Sequence, residues 1–182
     1  MIDRVVAIGG PPGSGKSTAG RLVAASLRLE YRSAGEVFRA EAKARGLDLE
    51  AFGRYAEAHP EVDRELDSTM QALAQPGRLL DGRIQSALCR RGGRPVYAIV
   101  VTAEERERAR RVAQRDGESV PDALRQIRAR EDSERKRYRR IYDLAPESEP
   151  ADLTVDSTSL PAVEVAEKIV HYLSVRSPGA AP

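Results

Sequence analysis

The segment at residues 10–18 constrains the fold of this chain more than any other part of the sequence. It reads Gly-Pro-Pro-Gly-Ser-Gly-Lys-Ser-Thr, which matches the pattern Gly-x-x-x-x-Gly-Lys-Ser without departure. Glycines at these positions let backbone N–H groups turn inward as a nest for anions, and a helix that starts at the lysine adds the positive end of its dipole. The lysine reaches the β- and γ-phosphates, and the serine hydroxyl is placed for Mg²⁺. We therefore predict a P-loop that binds the phosphates of a nucleoside triphosphate through Gly10, Pro11, Pro12, Gly13, Ser14, Gly15, Lys16, Ser17 and Thr18.

The sequence on either side of this motif is what a P-loop requires. A β-branched run at residues 4–9 predicts a buried strand before it, and residues 19–27 predict a helix after it. A dinucleotide-binding fingerprint, Gly-x-Gly-x-x-Gly, would need glycine at the position of Thr18. We therefore interpret the segment as a phosphate-binding loop between a strand and a helix.

Short apolar runs alternate with helical segments along the rest of the chain. Such alternation is typical of a parallel sheet with helices on both faces, whose ligands bind at the carboxyl ends of the strands. We predict one α/β domain over residues 1–182, with the three-layer fold of P-loop NTPases and a five-stranded parallel sheet. The predicted strands are residues 4–9, 29–32, 78–80, 95–102 and 153–155, and the predicted helices are 19–27, 34–45, 49–58, 60–75, 84–91, 103–116, 119–142 and 162–174.

Composition narrows the function classes without choosing one. The 182 residues suit one domain, and the formal net charge of +2 argues neither for nor against nucleic acid. The single cysteine, Cys89, cannot form an internal disulfide, which suits a reducing cytosol. No apolar run approaches the roughly 20 residues that a membrane-spanning helix needs. We expect a cytoplasmic protein without a membrane partner.

Two polar groups follow predicted strands. Arg39 lies one helical turn beyond Gly35 and could face an acceptor phosphate, although a solvent-facing helical arginine is the alternative. Asp81 ends an apolar run, where P-loop enzymes place an acid near Mg²⁺ or its waters, and Arg83 would face the same crevice. An ordinary turn is the alternative for this triplet. Both groups are candidates for the site because the predicted fold brings strand ends together.

The stretch at residues 125–140 carries an excess of basic residues, and three interpretations of it remain open. A solvated helix with i,i+4 ion pairs, such as Glu131 with Arg135 and Asp132 with Lys136, is one. A mobile lid whose arginines stabilise a transferring phosphoryl group is another. A nucleic-acid-binding helix is the third, although few aromatic residues interleave with the charges.

Other P-loop classes fit this sequence poorly. A regulatory GTPase would need the guanine-reading motif Asn-Lys-x-Asp, which is absent, and motors or recombinases are usually larger. The small class that remains has the fold of the nucleoside monophosphate kinases.

Within that class the chain resembles the cytidylate kinases, in particular their short archaeal-type branch, over nearly its whole length. The P-loop is shared across the superfamily, whereas the motifs at residues 33–39 and 130–138 together are much more specific. The motifs that carry the resemblance are the P-loop, Ser-Ala-Gly-Glu-Val-Phe-Arg at 33–39, Glu-Val-Asp-Arg-Glu-Leu-Asp at 61–67, Asp-Gly-Arg at 81–83, Arg-Glu-Asp-Ser-Glu-Arg-Lys-Arg-Tyr at 130–138 and Ala-Asp-Leu-Thr-Val-Asp-Ser-Thr at 151–158.

The resemblance implies transfer of the γ-phosphoryl group of ATP to CMP or dCMP, with Mg²⁺ as cofactor. It implies small-molecule nucleotides as the partners of a monomer, with no nucleic acid. A helical segment at about residues 34–76 would bind the nucleoside monophosphate, residues 125–145 would form the lid, and residues 176–182 would be a flexible tail. Carried over position by position, the resemblance implies three catalytic residues: Lys16, Arg130 and Arg137. The residues that would hold the acceptor are Ser33, Arg39, Arg83, Arg106 and Glu134, and Asp63 with Arg64 would read its base. Ser17 and Asp81 would be the metal ligands.

One departure from the family pattern leaves the acceptor open. After Asp-Gly-Arg the family has small residues with glycine and often tryptophan, whereas this chain reads Ile-Gln-Ser-Ala at residues 84–87. These residues should line the acceptor site. A kinase of another nucleotide or of a small metabolite is therefore one alternative function, and a regulatory nucleotide-binding or RNA-binding ATPase module is the non-enzymatic one.

Overall fold

The computed structural model describes residues 2–148 and 150–177 of the chain. Strands and helices alternate along these residues as the sequence predicts, with bounds that differ by one or two residues at most ends. The strands are β1 (Val5–Gly9), β2 (Glu30–Ser33), β3 (Arg78–Asp81), β4 (Val96–Thr102) and β5 (Leu153–Asp156); the helices are α1 (Lys16–Leu27), α2 (Ala34–Ala44), α3 (Leu49–Ala58), α4 (Pro60–Ala72), α5 (Gln85–Arg91), α6 (Glu105–Asp116), α7 (Val120–Tyr142) and α8 (Ala162–Arg176), with a short 3-10 helix at Pro146–Ser148.

All five strands are parallel and lie in the order β2-β3-β1-β4-β5. This confirms the predicted five-stranded parallel sheet. Because β1 lies at the centre and is followed directly by the glycine-rich loop, that loop emerges from the middle of the carboxyl edge. Ligands of open parallel sheets bind at this edge.

The two faces of the sheet are covered by different helices. Val6 and Ile8 of β1 pack in a core cluster that contains residues of α1 and α8. Val5 and Ala7 face the other way, and their cluster includes Met70 of α4 and Cys89 of α5. Since successive side chains of a strand point to opposite faces, one apolar run supplies both cores. The predicted three-layer arrangement is thereby confirmed.

Local signals explain where several helices begin. The Ser119 hydroxyl accepts a hydrogen bond from the backbone N–H of Asp122 and caps α7, as the sequence predicts. Pro60 occupies the first turn of α4, where its missing N–H costs nothing. The Ser33 hydroxyl caps α2 in the same way as Ser119, with Glu36 as the donor.

Strand register aligns the predicted site residues along one edge. Asp81, the last residue of β3, is opposite Ile8 on one side and Ser33 on the other. The segment α2–α4 between β2 and β3 then rises over this edge, where α3 packs against α7. The basic helix α7 therefore covers the same edge as the P-loop.

The last residues that the structure describes, Arg176 and Ser177, contact the body of the domain. The Tyr97 hydroxyl oxygen lies 3.0 Å from the Arg176 carbonyl oxygen, and the Ser177 hydroxyl donates to Asp3 at 2.8 Å. The remainder of the predicted tail, residues 178–182, lies outside the described residues. No helix in the part of the chain that the structure describes is long and apolar enough to cross a membrane.

Packing of α8 against the sheet can be tested by truncating Ile169, whose side chain is fully buried. Ile169→Ala should lower the free energy of unfolding by about 2–5 kcal/mol, because lost burial and a residual cavity both destabilise the fold. Val163→Ala is the matched control, since Val163 lies on the same helix but is 56% exposed; its effect should stay within about 0.5 kcal/mol. Urea unfolding measures both, and equal losses would contradict the packing.

Candidate active site

The backbone of the P-loop follows a path that only glycine permits at two points. Gly10 and Gly13 have φ values of 137° and 80°. A Cβ on Gly10 would lie 2.0 Å from the Val101 carbonyl oxygen, and one on Gly13 would lie 2.7 Å from that of Arg108. The loop therefore passes too close to β4 and α6 for any side chain. It ends at α1, whose first turn contains no acidic residue and whose N-terminus favours an anion.

A cleft of about 1530 Å³ opens above the P-loop. This is larger than the roughly 300–1,000 Å³ of a pocket for one small molecule, so it has room for two. The P-loop forms one wall, and the other walls come from α2–α4, the turn after β3, and the cleft-facing sides of α6 and α7. Its lining is highly charged, with acidic side chains interspersed among the basic ones; the basic residues are Lys16, Arg39, Arg54, Arg83, Arg110, Arg111, Arg115, Arg130, Lys136 and Arg137.

Two arginines of α6 stabilise the P-loop through hydrogen bonds. Arg108, which is 7% exposed, donates to the Pro12 carbonyl at 3.1 Å. Arg111 donates to the Ser157 hydroxyl at 2.9 Å, and that hydroxyl donates to the Ser14 carbonyl at 2.7 Å. Sequence reasoning missed these residues. The available signal was that Ser157 follows the last predicted strand and therefore lies at the functional edge.

Glu131 and Asp132 do not form the i,i+4 pairs that the solvated-helix interpretation of α7 offered as examples. Glu131 pairs with Arg108 of α6 at 2.8 Å, and Asp132 pairs with Arg135 at 2.7 Å. Packing of α7 against α6 brings a buried arginine close to Glu131, and a partly buried charge gains more from that partner than from an exposed one. The helix is consequently tied to the support of the P-loop.

The structure does not bring Arg106 into the cleft. Its side chain is exposed and lies in a small surface groove with Glu104 and Val120. Glu107 and Arg111, one turn apart, occupy the cleft side of α6 instead. A phosphate contact from Arg106 therefore has no geometric support.

Ser33 and Arg39 both line the cleft, beside each other at the start of α2. The Arg39 guanidinium lies over Gly35, where an added Cβ would be 3.3 Å from Nη1. Among the described residues it has no carboxylate within 4 Å. Burial lowers the pKa of Arg39, and the nearby positive charge of Arg130 lowers it further. An anion at this point would relieve that repulsion.

A buried carboxylate joins two of the predicted arginines. Glu134 of α7 contacts the Arg83 Nε at 3.0 Å with one oxygen and accepts from the Arg130 Nε at 2.8 Å with the other. Burial alone would raise the pKa of Glu134, but the charges of Arg130 and Arg83 hold it below its usual value. Lys16 is close enough to interact with this group, and burial lowers its pKa despite the Asp81 carboxylate. The structure thus brings Lys16, Arg83, Arg130 and Glu134 together.

Arg137, predicted as a catalytic residue, lines the cleft, and its guanidinium is engaged by a carboxylate. It forms a buried ion pair with Asp63 of α4, with Nη1 donating to Oδ1 at 2.5 Å. The exposed fractions of the two residues are 4% and 3%. Its Cζ atom is 5.2 Å from the centre of the Phe38 ring. Within the described chain, Asp63 Oδ2 and Arg137 Nε have no hydrogen-bond partner, whereas Arg64 is exposed and outside the cleft.

Ser17 and Asp81 offer the oxygen ligands that Mg²⁺ prefers. Both line the cleft, and Asp81 is 2% exposed. The described residues contain no cluster of three or more acidic, histidine or cysteine side chains. Such a sparse set fits Mg²⁺, which keeps several waters and binds through one or two protein ligands together with substrate phosphates.

Asp81 is also held by a residue that the sequence did not single out. The Tyr31 hydroxyl donates to Asp81 Oδ2 at 2.5 Å. Burial, followed by the charge of Asp81, raises the pKa of Tyr31 to about 12, while the adjacent Ser33 and Ser17 hydroxyls act in the opposite direction. The phenol therefore remains a donor at neutral pH.

The segment that departs from the family pattern contributes one polar side chain to the cleft. Gln85, which is 1% exposed, donates to Asp67 Oδ1 at 2.7 Å and accepts from Gln71 at 2.9 Å. Ile84 and Ala87 instead pack in an apolar cluster beneath the end of α7. Sequence reasoning missed the pairing of Gln85 with Asp67 because it depends on how α4 and α5 lie in space.

Burial raises the pKa of Asp67 to about 6. The folded protein therefore keeps this proton at pH values where the unfolded chain has released it, so the contribution of Asp67 to stability falls as pH rises from about 4 to about 6. Asp67→Asn removes the titration. The unfolding free energy of the variant minus that of the wild type should increase by about 1–3 kcal/mol between pH 4 and pH 7.

Urea unfolding at the two pH values measures this difference. Glu65→Gln is the control for loss of an acidic charge from the exposed side of α4. A difference for Asp67→Asn that does not change with pH would contradict the burial of this carboxyl.

Known proteins resemble this chain in both sequence and structure. A family model described as an AAA domain matches residues 6–143. The cytidylate kinase of Archaeoglobus fulgidus is 33% identical over 174 residues, which cover 94% of this chain and 95% of the relative. That of Pyrobaculum calidifontis is 43% identical over 144 residues, or 77% and 76% of the two chains.

Among solved structures, a gluconokinase from Sinorhizobium meliloti 1021 aligns with a TM-score of 0.63, covering 97% of this chain and 94% of its own. At 14% identity this likeness concerns the fold alone. The sequence relatives are much closer, and the alignment with the archaeal relative extends over almost the whole of both chains. The chain therefore belongs to the cytidylate kinase family of P-loop kinases.

Proposed function

We propose that this protein transfers the γ-phosphoryl group of ATP to CMP or dCMP. The observation that carries the proposal is one cleft that is lined both by the P-loop and by Arg39 and Arg83, with room for two small molecules. The curated relatives named cytidylate kinase support the choice of acceptor. We further propose that the protein is a monomer that acts on free nucleotides in the cytoplasm.

The donor half of the site is the P-loop with residues 10–18. Its backbone and the N-terminus of α1 suit the phosphates of ATP, and Lys16 would contact the β- and γ-phosphates. Ser17 and Asp81 would hold Mg²⁺, which neutralises charge on the β- and γ-phosphate oxygens when bound.

The acceptor half is the segment at residues 34–76 together with the turn after β3. Ser33, Arg39 and Arg83 would hold the acceptor phosphate. Residues 125–145, which include most of α7, would form a lid that closes the cleft. Glu134 keeps Arg83 and Arg130 in place between the two halves. The carboxylate balances the charges of these two arginines, and the substrate phosphates would take over that role on binding.

The reaction itself needs little covalent help from the protein. An oxygen of the acceptor phosphate attacks the γ-phosphorus, and the bond from that phosphorus to the bridging oxygen of ADP breaks. The acceptor is already an anionic nucleophile, so no strong general base is required. Lys16, Arg83 and Arg130 stabilise the charge that spreads over the transferring group, and closure of α7 excludes water.

The pair formed by Asp63 and Arg137 suits the base of the acceptor. Phe38, next to Arg39 in sequence, has its ring beside Arg137, so the pair lies adjacent to the proposed phosphate site. Its unpartnered acceptor, Asp63 Oδ2, and unpartnered donor, Arg137 Nε, match the N4 amine and N3 of cytosine. Uracil presents the opposite pattern, with O4 as an acceptor and N3–H as a donor.

A panel of acceptors with ATP and Mg²⁺ tests the function. CMP and dCMP should give kcat/KM values at least about tenfold above those for UMP, AMP, GMP and a metabolite alcohol. Lys16→Ala should reduce turnover by at least about 10²-fold without lowering Tm, because it removes charge stabilisation and leaves the core intact. Activity on another acceptor alone would reject the choice of CMP.

A different outcome would support the non-enzymatic alternative. ATP binding without turnover of any acceptor, combined with an affinity for RNA that falls steeply with salt, would indicate an RNA-binding ATPase module.

Asp63→Asn tests the reading of the base. The amide can donate to uracil O4, so the ratio of kcat/KM for CMP to that for UMP should fall by about tenfold or more. Steady-state kinetics with the two acceptors measure the ratio. Glu61→Gln, an exposed change on the first turn of the same helix, is the control. Equal losses for CMP and UMP would show that Asp63 supports the fold of the site and does not read the base.

A further inference from the structure

Tyr31 occupies an unusual position for a strand tyrosine. It lies on β2, and its hydroxyl reaches the end of the neighbouring strand β3, where it donates to Asp81 Oδ2 at 2.5 Å. The hydroxyls of Ser17 and Ser33 lie beside the same phenol oxygen. The phenol thus stands between the first turn of α1, the start of α2 and the end of β3.

The ring of Tyr31 cannot easily move from this position. One edge rests on α1, where a Cβ added to Gly20 would be 3.2 Å from the Tyr31 Cε2 atom. The Arg21 guanidinium covers the ring at 4.4 Å from its centre, and Arg21 is in turn ion-paired with Glu36 of α2. A carboxylate bonded to this phenol is therefore held by two helices as well as by its own strand.

Asp81 needs such an anchor because of the charges around it. Lys16 is near enough for the Asp81 carboxylate to act on its pKa, and Arg130 feels the same carboxylate. In a partly dehydrated cleft these cations attract an unanchored carboxylate strongly. If the Asp81 carboxylate paired with Lys16, the carboxylate could no longer bind a metal ion and the lysine could no longer bind the phosphates.

We propose that Tyr31 is a positioning residue for the metal edge of the site, and that its hydrogen bond holds Asp81 oriented beside Ser17 to receive Mg²⁺ together with the phosphates of ATP. The proposal rests on the proposed magnesium-dependent phosphoryl transfer. Tyr31 touches neither substrate nor metal; it acts through Asp81. Partners of this kind typically contribute 10–100-fold to metal affinity or activity, as an order of magnitude.

Tyr31→Phe removes the hydroxyl and keeps the ring. The test compares the affinity for a non-hydrolysable ATP analogue with and without Mg²⁺, measured by calorimetry. In the wild type, Mg²⁺ should strengthen binding of the analogue. In the variant this gain should shrink by about tenfold or more, while the affinity without Mg²⁺ stays the same. A full Mg²⁺ gain in Tyr31→Phe would overturn the proposal.

Two further variants separate positioning from a general structural effect. Tyr97→Phe is the matched control, since the Tyr97 hydroxyl also donates to a carboxylate, Asp3 at 3.0 Å, but at the amino edge of the sheet. It should leave the Mg²⁺ gain unchanged. In an Asp81→Asn background, Tyr31→Phe should have no additional effect on the gain, because its target is already altered. An additive loss in the double variant would also overturn the proposal.

These measurements involve no phosphoryl acceptor. If no nucleotide in the acceptor panel is phosphorylated, the proposed reaction is rejected, but the effect of Mg²⁺ on binding of the ATP analogue can still be measured. If the enzyme is active and Tyr31→Phe shows the full Mg²⁺ gain, only the role of Tyr31 is rejected.

Discussion

The close passage of the P-loop over β4 and α6 is the constraint on which the rest of the site depends. A Cβ on Gly10 would be 2.0 Å from a carbonyl oxygen, so the loop exists only with glycine at this point. The same closeness lets Arg108 and Ser157 reach the loop carbonyls. Because these contacts hold the anion-binding backbone in place, its N–H groups need no rearrangement when phosphate binds.

Charge in the cleft is organised by a few buried acids. Glu134 sits between Arg83 and Arg130, while Asp63 holds Arg137 and Asp81 is bonded to Tyr31. Each acid limits where its hydrogen-bonded partner can go. Arg39 differs, because among the described residues it has no carboxylate within 4 Å and the neighbouring Arg130 charge lowers its pKa.

The sequence was sufficient for features that depend on local order along the chain. The strand before the P-loop, the helix start at Ser119 and the parallel arrangement of the strands follow from periodicity, capping residues and the alternation of elements. The P-loop could be recognised because phosphate binding requires a fixed sequence pattern. Partners far apart in sequence could not be predicted: Arg135 was considered as a partner for Glu131 within one interpretation, whereas Glu131 contacts Arg108, because only packing decides which helix lies beside α7.

By itself, then, the sequence determined the fold class, the phosphate-binding loop and the family, since each is encoded in contiguous residues whose spacing has a direct physical meaning. The tertiary structure alone decided which side chains meet. It brought Tyr31 to Asp81, Gln85 to Asp67 and Arg108 to the P-loop, and it left Arg106 on a separate surface. Such pairings depend on the register of neighbouring strands and the rotation of packed helices, which no local pattern specifies.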